Sequence, residues 1–300
     1  MCGIVAYIGN RQAYPVLMKG LQRLEYRGYD SAGIALLDGA LKVYKCKGKV
    51  VDLHNFIGEQ DKNGTIGIAH TRWATHGVPN DVNAHPHHSA SKNLVMIHNG
   101  IIENYGPLKE EMQQRGHIFL SDTDTEVLIH LIEDIQEKEK VRLGEAVRIA
   151  LNQVVGAYAI VVLAKDQPDE LIAAKKGSPM VIGIGENEFF IASDATPIVE
   201  YTKNVVYLED EEIAFIERGK ELKIKTIKNK AKTPYVQELE MQLEALEKGG
   251  YDHFMLKEIF EQPQTLFDCL RGRLDPVANT ITMAGVQLHI DKLINAPRII

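Results

Sequence analysis

Two periodicities divide the chain. In the first hundred residues the apolar positions are spaced as in short strands, with one helix among them. Cys2-Gly-Ile-Val-Ala-Tyr-Ile-Gly9 and Leu94-Val-Met-Ile97 are apolar at consecutive positions, so as strands both of their faces must be covered. Between them Tyr14, Leu17, Met18, Leu21 and Leu24 share one side of a helix that stops before Arg27-Gly28, where glycine can end it. Ala32 to Gly48 reads as a hairpin turning at Asp38-Gly39, a dipeptide suited to the positive φ of a tight turn. Gly64 to Trp73 reads as another strand.

From about 104 to 154 the period becomes helical, through Leu108 and Met112, then Val127, Leu128, Leu131, Ile132 and Ile135, then Leu143, Ala146, Val147, Ala150, Leu151 and Val154. Thr123-x-x-Glu126 is a capping-box pattern and puts Asp124 in the first turn of the second helix. Strand-like runs return at Ala159–Ala164, Met180–Ile184, Phe189–Ala192, Val205–Leu208 and the alternating segment from Leu222. The lysines of 220–232 alternate with Leu222, Ile224 and Ile227, as on the solvated face of an edge strand. Strands, then helices, then strands favour antiparallel sheets, and strands apolar on both faces need sheet on one side and helix on the other. The expected fold is α+β, a four-layer α/β/β/α sandwich of two mostly antiparallel sheets within residues 1–240. Near 240 the character shifts, with Leu239, Leu243 and Leu246 before Gly249-Gly250 and then a mixed helical and irregular tail, and Pro297-Arg-Ile-Ile300 reads as the start of a strand, so 241–300 is expected to be an interdomain linker and the truncated start of a further domain.

Composition narrows the functional classes. The 300 residues carry 34 Lys and Arg against 41 Asp and Glu, a net charge of −7, which disfavours nucleic acid or an anionic membrane as the main partner. No stretch approaches the ~20 consecutive apolar residues of a membrane helix, and the N-terminus lacks a basic segment followed by an apolar one. Three widely spaced cysteines, Cys2, Cys46 and Cys269, form no disulfide framework, as in a reducing compartment. A cytoplasmic protein acting on a small molecule is the expectation.

Cys2 has unusual chemistry available. Loss of Met1 would leave cysteine first, with an α-amine of pKa ~7.7–8 able to act, directly or through water, as base for its own thiol. The second cluster, His70-Thr-Arg-Trp-Ala-Thr-His-Gly77, offers Arg72, whose planar donor fork suits a carboxylate; a structural salt bridge is the ordinary alternative, and Trp73 by default packs in a core or interface. In His98-Asn-Gly-Ile-Ile-Glu-Asn104 an amide and a backbone N–H can meet a developing oxyanion, yet Asn-Gly is also the commonest tight-turn pair. Six of the eleven histidines lie between 70 and 98. A metal site there is disfavoured, since the other cysteines are distant and no His-Glu-x-x-His helix is present.

Together Met1-Cys-Gly-Ile-Val, Tyr26-Arg-Gly-Tyr-Asp-Ser-Ala-Gly33, the His70 and His98 motifs and Ser121-Asp-Thr-Asp-Thr-Glu126 resemble, in content and order, a class II glutamine amidotransferase. Tyr251-Asp-His-Phe-Met-Leu-Lys-Glu-Ile-Phe-Glu-Gln-Pro263 is similar to the interdomain segment of the members that act on fructose 6-phosphate. The resemblance implies an N-terminal-nucleophile hydrolase sandwich and hydrolysis of L-glutamine to glutamate and ammonia through a thioester on Cys2. It implies Asn99 and Gly100 at the oxyanion, Arg72, Thr75 and His76 at the glutamine carboxylate, and Asp124 at its ammonium. Trp73 would gate the site, His85 line it and Arg27 order it around Cys2. It implies no metal or organic cofactor, an oligomeric full-length enzyme, and ammonia transfer to fructose 6-phosphate only through a sugar-phosphate isomerase half, of which residues 241–300 would hold the linker and the truncated start. A glutamine-binding regulatory module without hydrolysis is the alternative, and it would follow if Met1 were retained.

Overall fold

The computed structural model describes residues 2–73, 77–239, 250–270, 274–275, 280–281, 290–295 and 298. The chain divides into two compact units, Met1–Met241 and Gln242–Ile300.

The first unit holds two antiparallel sheets, with strands numbered in chain order. The larger runs β15 (Gln237–Glu238), β11 (Asn204–Tyr207), β9 (Val181–Ile184), β10 (Phe189–Ala192), β1 (Gly3–Ile8), β4 (Ile66–Arg72), β2 (Ser31–Asp38), β3 (Ala40–Lys47). The smaller runs β14 (Ala231–Lys232), β13 (Lys223–Thr226), β12 (Glu212–Glu217), β8 (Glu170–Lys176), β7 (Gly156–Ala164), β6 (Leu94–Ile102), β5 (His87–His88). Alternation along β1 shows why the layers form. Ile4, Ala6 and Ile8 point between the sheets with Ile68 of β4, meeting Val95, Ile97, Val161, Leu163 and Leu171 of the other sheet. Val5 and Gly67 face the opposite way, toward helix α1 (Ala13–Leu24): a Cβ on Gly20 would stand 2.8 Å from Val5, and one on Gly67 2.8 Å from Leu17.

Helix α2 (Val50–Ile57) joins α1 on that outer face, packing on β3 and β2. Helices α3 (Tyr105–Gln114), α4 (Asp124–Glu139) and α5 (Leu143–Leu151) cover the far side of the smaller sheet. There Met112, Leu128, Ile132 and Val147 pack with Met96, Ile160, Val162 and Ile172. The four-layer α/β/β/α sandwich of two antiparallel sheets is thus formed as expected, including the hairpin at Gly39, whose φ is 64°.

Some elements differ from the sequence reading. α2 escapes it because Val50, Leu53 and Ile57 give only two helical spacings, and β8 and β12 are strands that it does not name. The Asn99-Gly100 pair is no tight turn: it lies inside β6, opposite Ala159 and Tyr158 of β7. Gly100 takes φ 136°, and a Cβ there would collide with the Ala157 carbonyl, so a residue type that favours turns is used to bring two strands close.

The second unit contains a helix, Phe254–Leu270, with Pro263 inside it, a short antiparallel pair, Leu274–Asp275 with Thr280–Ile281, and a helix at Ile290–Ile294. Leu243, Leu246 and, apart from Arg298, the strand start expected at Pro297–Ile300 fall outside the described residues. Among the described residues no helix is long and apolar enough to cross a membrane.

Leu163, fully buried between the sheets, has no polar substitute for its contacts. Leu163→Ala should lower unfolding stability by about 2–5 kcal/mol, read as a lower urea midpoint at unchanged m-value.

Candidate functional site

Cys2 precedes β1, whose Gly3 pairs with Thr71 beside the end of β4. Its Sγ accepts the Trp73 N–H at 3.2 Å, and the thiol lies 3.5 Å from the Trp73 carbonyl. Its own carbonyl accepts from Asn99 Nδ2 at 3.0 Å and from Arg27 Nε at 3.3 Å. Arg27 is buried and also reaches the Ser193 carbonyl and Asp194, at 3.4 and 3.5 Å. Gly3 must be small, since a Cβ would lie 2.6 Å from Thr71 Oγ1 and 2.8 Å from Leu24. Burial pushes the Cys2 thiol above its ordinary pKa, with the Asp30 carboxylate adding to the rise, although the Trp73 N–H opposes it. The sulfur is therefore a thiol at neutral pH and needs a base to react.

Beside it opens a cavity of about 270 Å³. Of the residues singled out from the sequence, Cys2, Arg27, Arg72, Trp73, His85, Asn99, Gly100 and Asp124 all line it; Met1, Thr75 and His76 lie outside the described residues. Arg72 is buried at the end of β4 and donates from Nη2 to the Gly77 carbonyl at 3.3 Å. Trp73 is half-exposed and packs edge-on against Tyr29, ring centres 5.4 Å apart. Asp124 sits in the first turn of α4, where the helix N-terminus favours a carboxylate, and its Oδ2 accepts the Ile102 N–H at 2.7 Å.

The cap of α4 departs from the expected reciprocal box. Thr123 Oγ1 accepts from the Glu126 N–H, but the Glu126 carboxylate takes the Leu120 and Ser121 N–H groups, at 2.9 and 2.6 Å, and the Ser121 hydroxyl. Ser121 Oγ instead receives the Thr123 N–H. Glu126 thereby ties the preceding loop to the helix that carries Asp124. Burial pushes its carboxyl up, yet hydrogen bonds from His130, Leu120 and Ser121 prevail and hold it at about 2.

Sequence reasoning missed part of the lining: His98, Ile101, Thr123, Thr125, Ser178 and Pro179. Thr123 and Thr125 stand within the Ser121 motif and were within reach, whereas Ser178-Pro179 follow β8 with no chemical pattern. The histidines form a connected buried group. His85 Nε2 and His98 Nδ1 each lie 3.0 Å from Thr125 Oγ1, His87 Nε2 lies 3.1 Å from Thr123 Oγ1, and the His70 and His85 rings are 4.2 Å apart. Burial drives His70 down to about 3 and lowers His85, His87 and His98 as well. All four are neutral at pH 7, so Arg27 and Arg72 supply the positive charge and Asp124 the negative charge among the lining residues. Among the described residues no three His, Cys, Asp or Glu side chains are grouped so as to hold a metal ion.

A cavity with a thiol, a buried guanidinium, a carboxylate and an inward amide can bind a zwitterionic amino acid and acylate the thiol. Comparison with known proteins gives the family. The glutamine amidotransferase domain family matches residues 58–242. The chain is 61% identical over 302 residues to the glutamine–fructose-6-phosphate aminotransferase (isomerizing) of Bacteroides thetaiotaomicron, covering 100% of this chain and 49% of that protein. It is 52% identical over 303 residues to the enzyme of the same name from Chlorobaculum tepidum, again covering 100% and 49%. The chain thus spans about half the length of these relatives. Among solved structures, glutamine phosphoribosylpyrophosphate amidotransferase from B. subtilis, complexed with ADP and GMP, superposes with a TM-score of 0.65 at 28% identity, over 75% of this chain and 49% of that one.

Glu126→Gln checks the loop tie. A carboxyl held below its unfolded pKa of ~4.3 stabilises the fold above that pH and loses this contribution as pH falls through the folded value. The stability advantage of wild type over Glu126→Gln in urea unfolding should be greatest above pH ~4.3 and shrink as pH falls toward 2.

Proposed function

The chain belongs to the class II glutamine amidotransferases, and on that premise we propose that Cys2, freed of Met1, is the nucleophile that hydrolyses glutamine in the cavity beside β1. The observation that carries this reading is the convergence of Cys2, Arg72, Asn99 and Asp124, from four separate elements, on one cavity. The thiol sulfur bonds to the side-chain carbonyl carbon of glutamine, and the carbonyl electron pair moves to oxygen. The Asn99 Nδ2–H and Gly100 N–H receive that oxyanion. The thiol proton passes to the α-amine of Cys2 and on to the leaving nitrogen, the C–N bond breaks, and ammonia departs. Water, giving its proton to the same amine, then cleaves the thioester to glutamate and restores the thiol.

Arg72, with Thr75 and His76, holds the glutamine α-carboxylate, while Asp124 pairs with its α-ammonium. Arg27 orders the site through the Cys2 carbonyl, Trp73 gates it, and neutral His85 lines it. No part of this chemistry requires a cofactor. A binding module without hydrolysis is not favoured, since a partly buried thiol beside the oxyanion donors has no use in mere recognition. In the longer protein the same reading sends the ammonia to fructose 6-phosphate in a further half, giving glucosamine 6-phosphate.

Intact mass before and after incubation with the glutamine-mimicking electrophile 6-diazo-5-oxo-norleucine tests the nucleophile. One adduct located at Cys2 of a chain lacking Met1 is expected, with none in Cys2→Ala, whose glutamine hydrolysis should be lost; hydrolysis unchanged in Cys2→Ala would overturn the assignment. Because the base is an amine of pKa ~7.7–8, kcat/KM should fall about tenfold per pH unit below that value.

A further inference from the structure

We propose that His70 is the positioning residue that orients the Asn99 carboxamide, so that its NH2 rather than its oxygen serves the oxyanion. This rests on the reading of Asn99 as an oxyanion donor. An asparagine side chain can be turned either way, exchanging two donors for an acceptor at nearly the same positions. Which way it points decides whether the site stabilises negative charge or repels it.

The surroundings of Asn99 settle the choice through two carbonyl groups. His70 Nε2 lies 3.1 Å from the His98 carbonyl oxygen and 2.9 Å from Asn99 Oδ1. A carbonyl oxygen only accepts, so the contact with His98 requires a hydrogen on Nε2. That hydrogen then also faces the Asn99 side chain and demands its oxygen. On the other side the Cys2 carbonyl, 3.0 Å away, demands the amide nitrogen. Turning the amide over would set oxygen against the Cys2 carbonyl and NH2 against the imidazole N–H, two buried mismatches at once.

His70 is well suited to holding one tautomer. It is fully buried, and its Nδ1 has no hydrogen-bond partner among the described residues, so a second proton there would find no acceptor among them. Burial accordingly pushes its pKa down to about 3. His70 therefore transfers no proton in the reaction; it supplies a fixed, uncharged donor from β4 that constrains a side chain of β6, across the gap between the sheets.

The experiment combines kinetics of glutamine hydrolysis by the full chain with Cys2 at its N-terminus. Asn99→Ala should lower kcat about 10²–10³-fold. His70→Leu should lower kcat about 10–100-fold with KM for glutamine within about threefold, His70→Gln, which offers an N–H at a matching distance, should recover most of it, and His70→Leu should add no more than about twofold in the Asn99→Ala background. If Asn99→Ala has no effect, the oxyanion reading and this inference both fall. If Asn99→Ala is impaired while His70→Leu is not, or if His70→Leu costs as much in the Asn99→Ala background, only the role of His70 is overturned. Should His70→Leu not fold, ¹⁵N NMR of the unaltered chain decides: a neutral Nε2–H imidazole at His70 between about pH 5 and about pH 9 is expected, and an Nδ1–H tautomer or an imidazolium in that range overturns the proposal.

Discussion

The two sheets meet through a cluster of mostly aliphatic side chains, and at the end of that layer the Cys2 carbonyl is clasped by Asn99 Nδ2 and Arg27 Nε. Everything at the site depends on that clasp. It joins the chain just before β1 to β6 of the facing sheet and to the turn after α1. It sets where Sγ sits, and Sγ in turn receives the Trp73 N–H at the end of β4. Away from water each of these bonds is stronger than it would be on the surface, and each buried group would be costly without its partner. The apolar layer supplies rigidity, and the polar clasp at its edge uses that rigidity to fix a nucleophile.

Burial also governs the charge of the site. Four histidines around the cavity are kept neutral by desolvation, two of them sharing the Thr125 hydroxyl. Uncharged imidazoles can fill space and donate or accept single hydrogen bonds without competing with Arg27 and Arg72 for anions. The same environment raises the Cys2 thiol, so the sulfur does not rest as a thiolate and its activation falls to a nearby base. Glu126 shows the converse case: a buried carboxylate kept ionised because backbone N–H groups, a hydroxyl and an imidazole all point at it. Its role is to lock the loop ahead of α4, and through it the place of Asp124.

Much of the fold was legible because it is written in local periodicity. Consecutive apolar residues around Ile4 and Met96 announced strands covered on both faces, and Thr123 announced the start of α4. What was not legible has identifiable reasons. α2 is too short for a helical period to show, and Asn99-Gly100 carries the chemistry of a turn while sitting within a strand, because pairing with Ala159 and Tyr158 overrides the local preference. Glu126 fits a capping box by spacing, yet its carboxylate finds better donors in the loop before the helix.

By itself the sequence determined the alternation that builds the four layers, the cysteine at position 2, and the motifs that single out Arg72, Asn99 and Asp124. Only the tertiary structure decided that these groups share one cavity, that Ser178 and Pro179 help to close it, that its histidines are uncharged, and which way the Asn99 amide faces. The physical reason is distance along the chain. Cys2 meets Trp73 across 71 positions and Ile4 meets Ser193 across 189, so hydrogen-bond direction and desolvation arise from neighbours that no local pattern names.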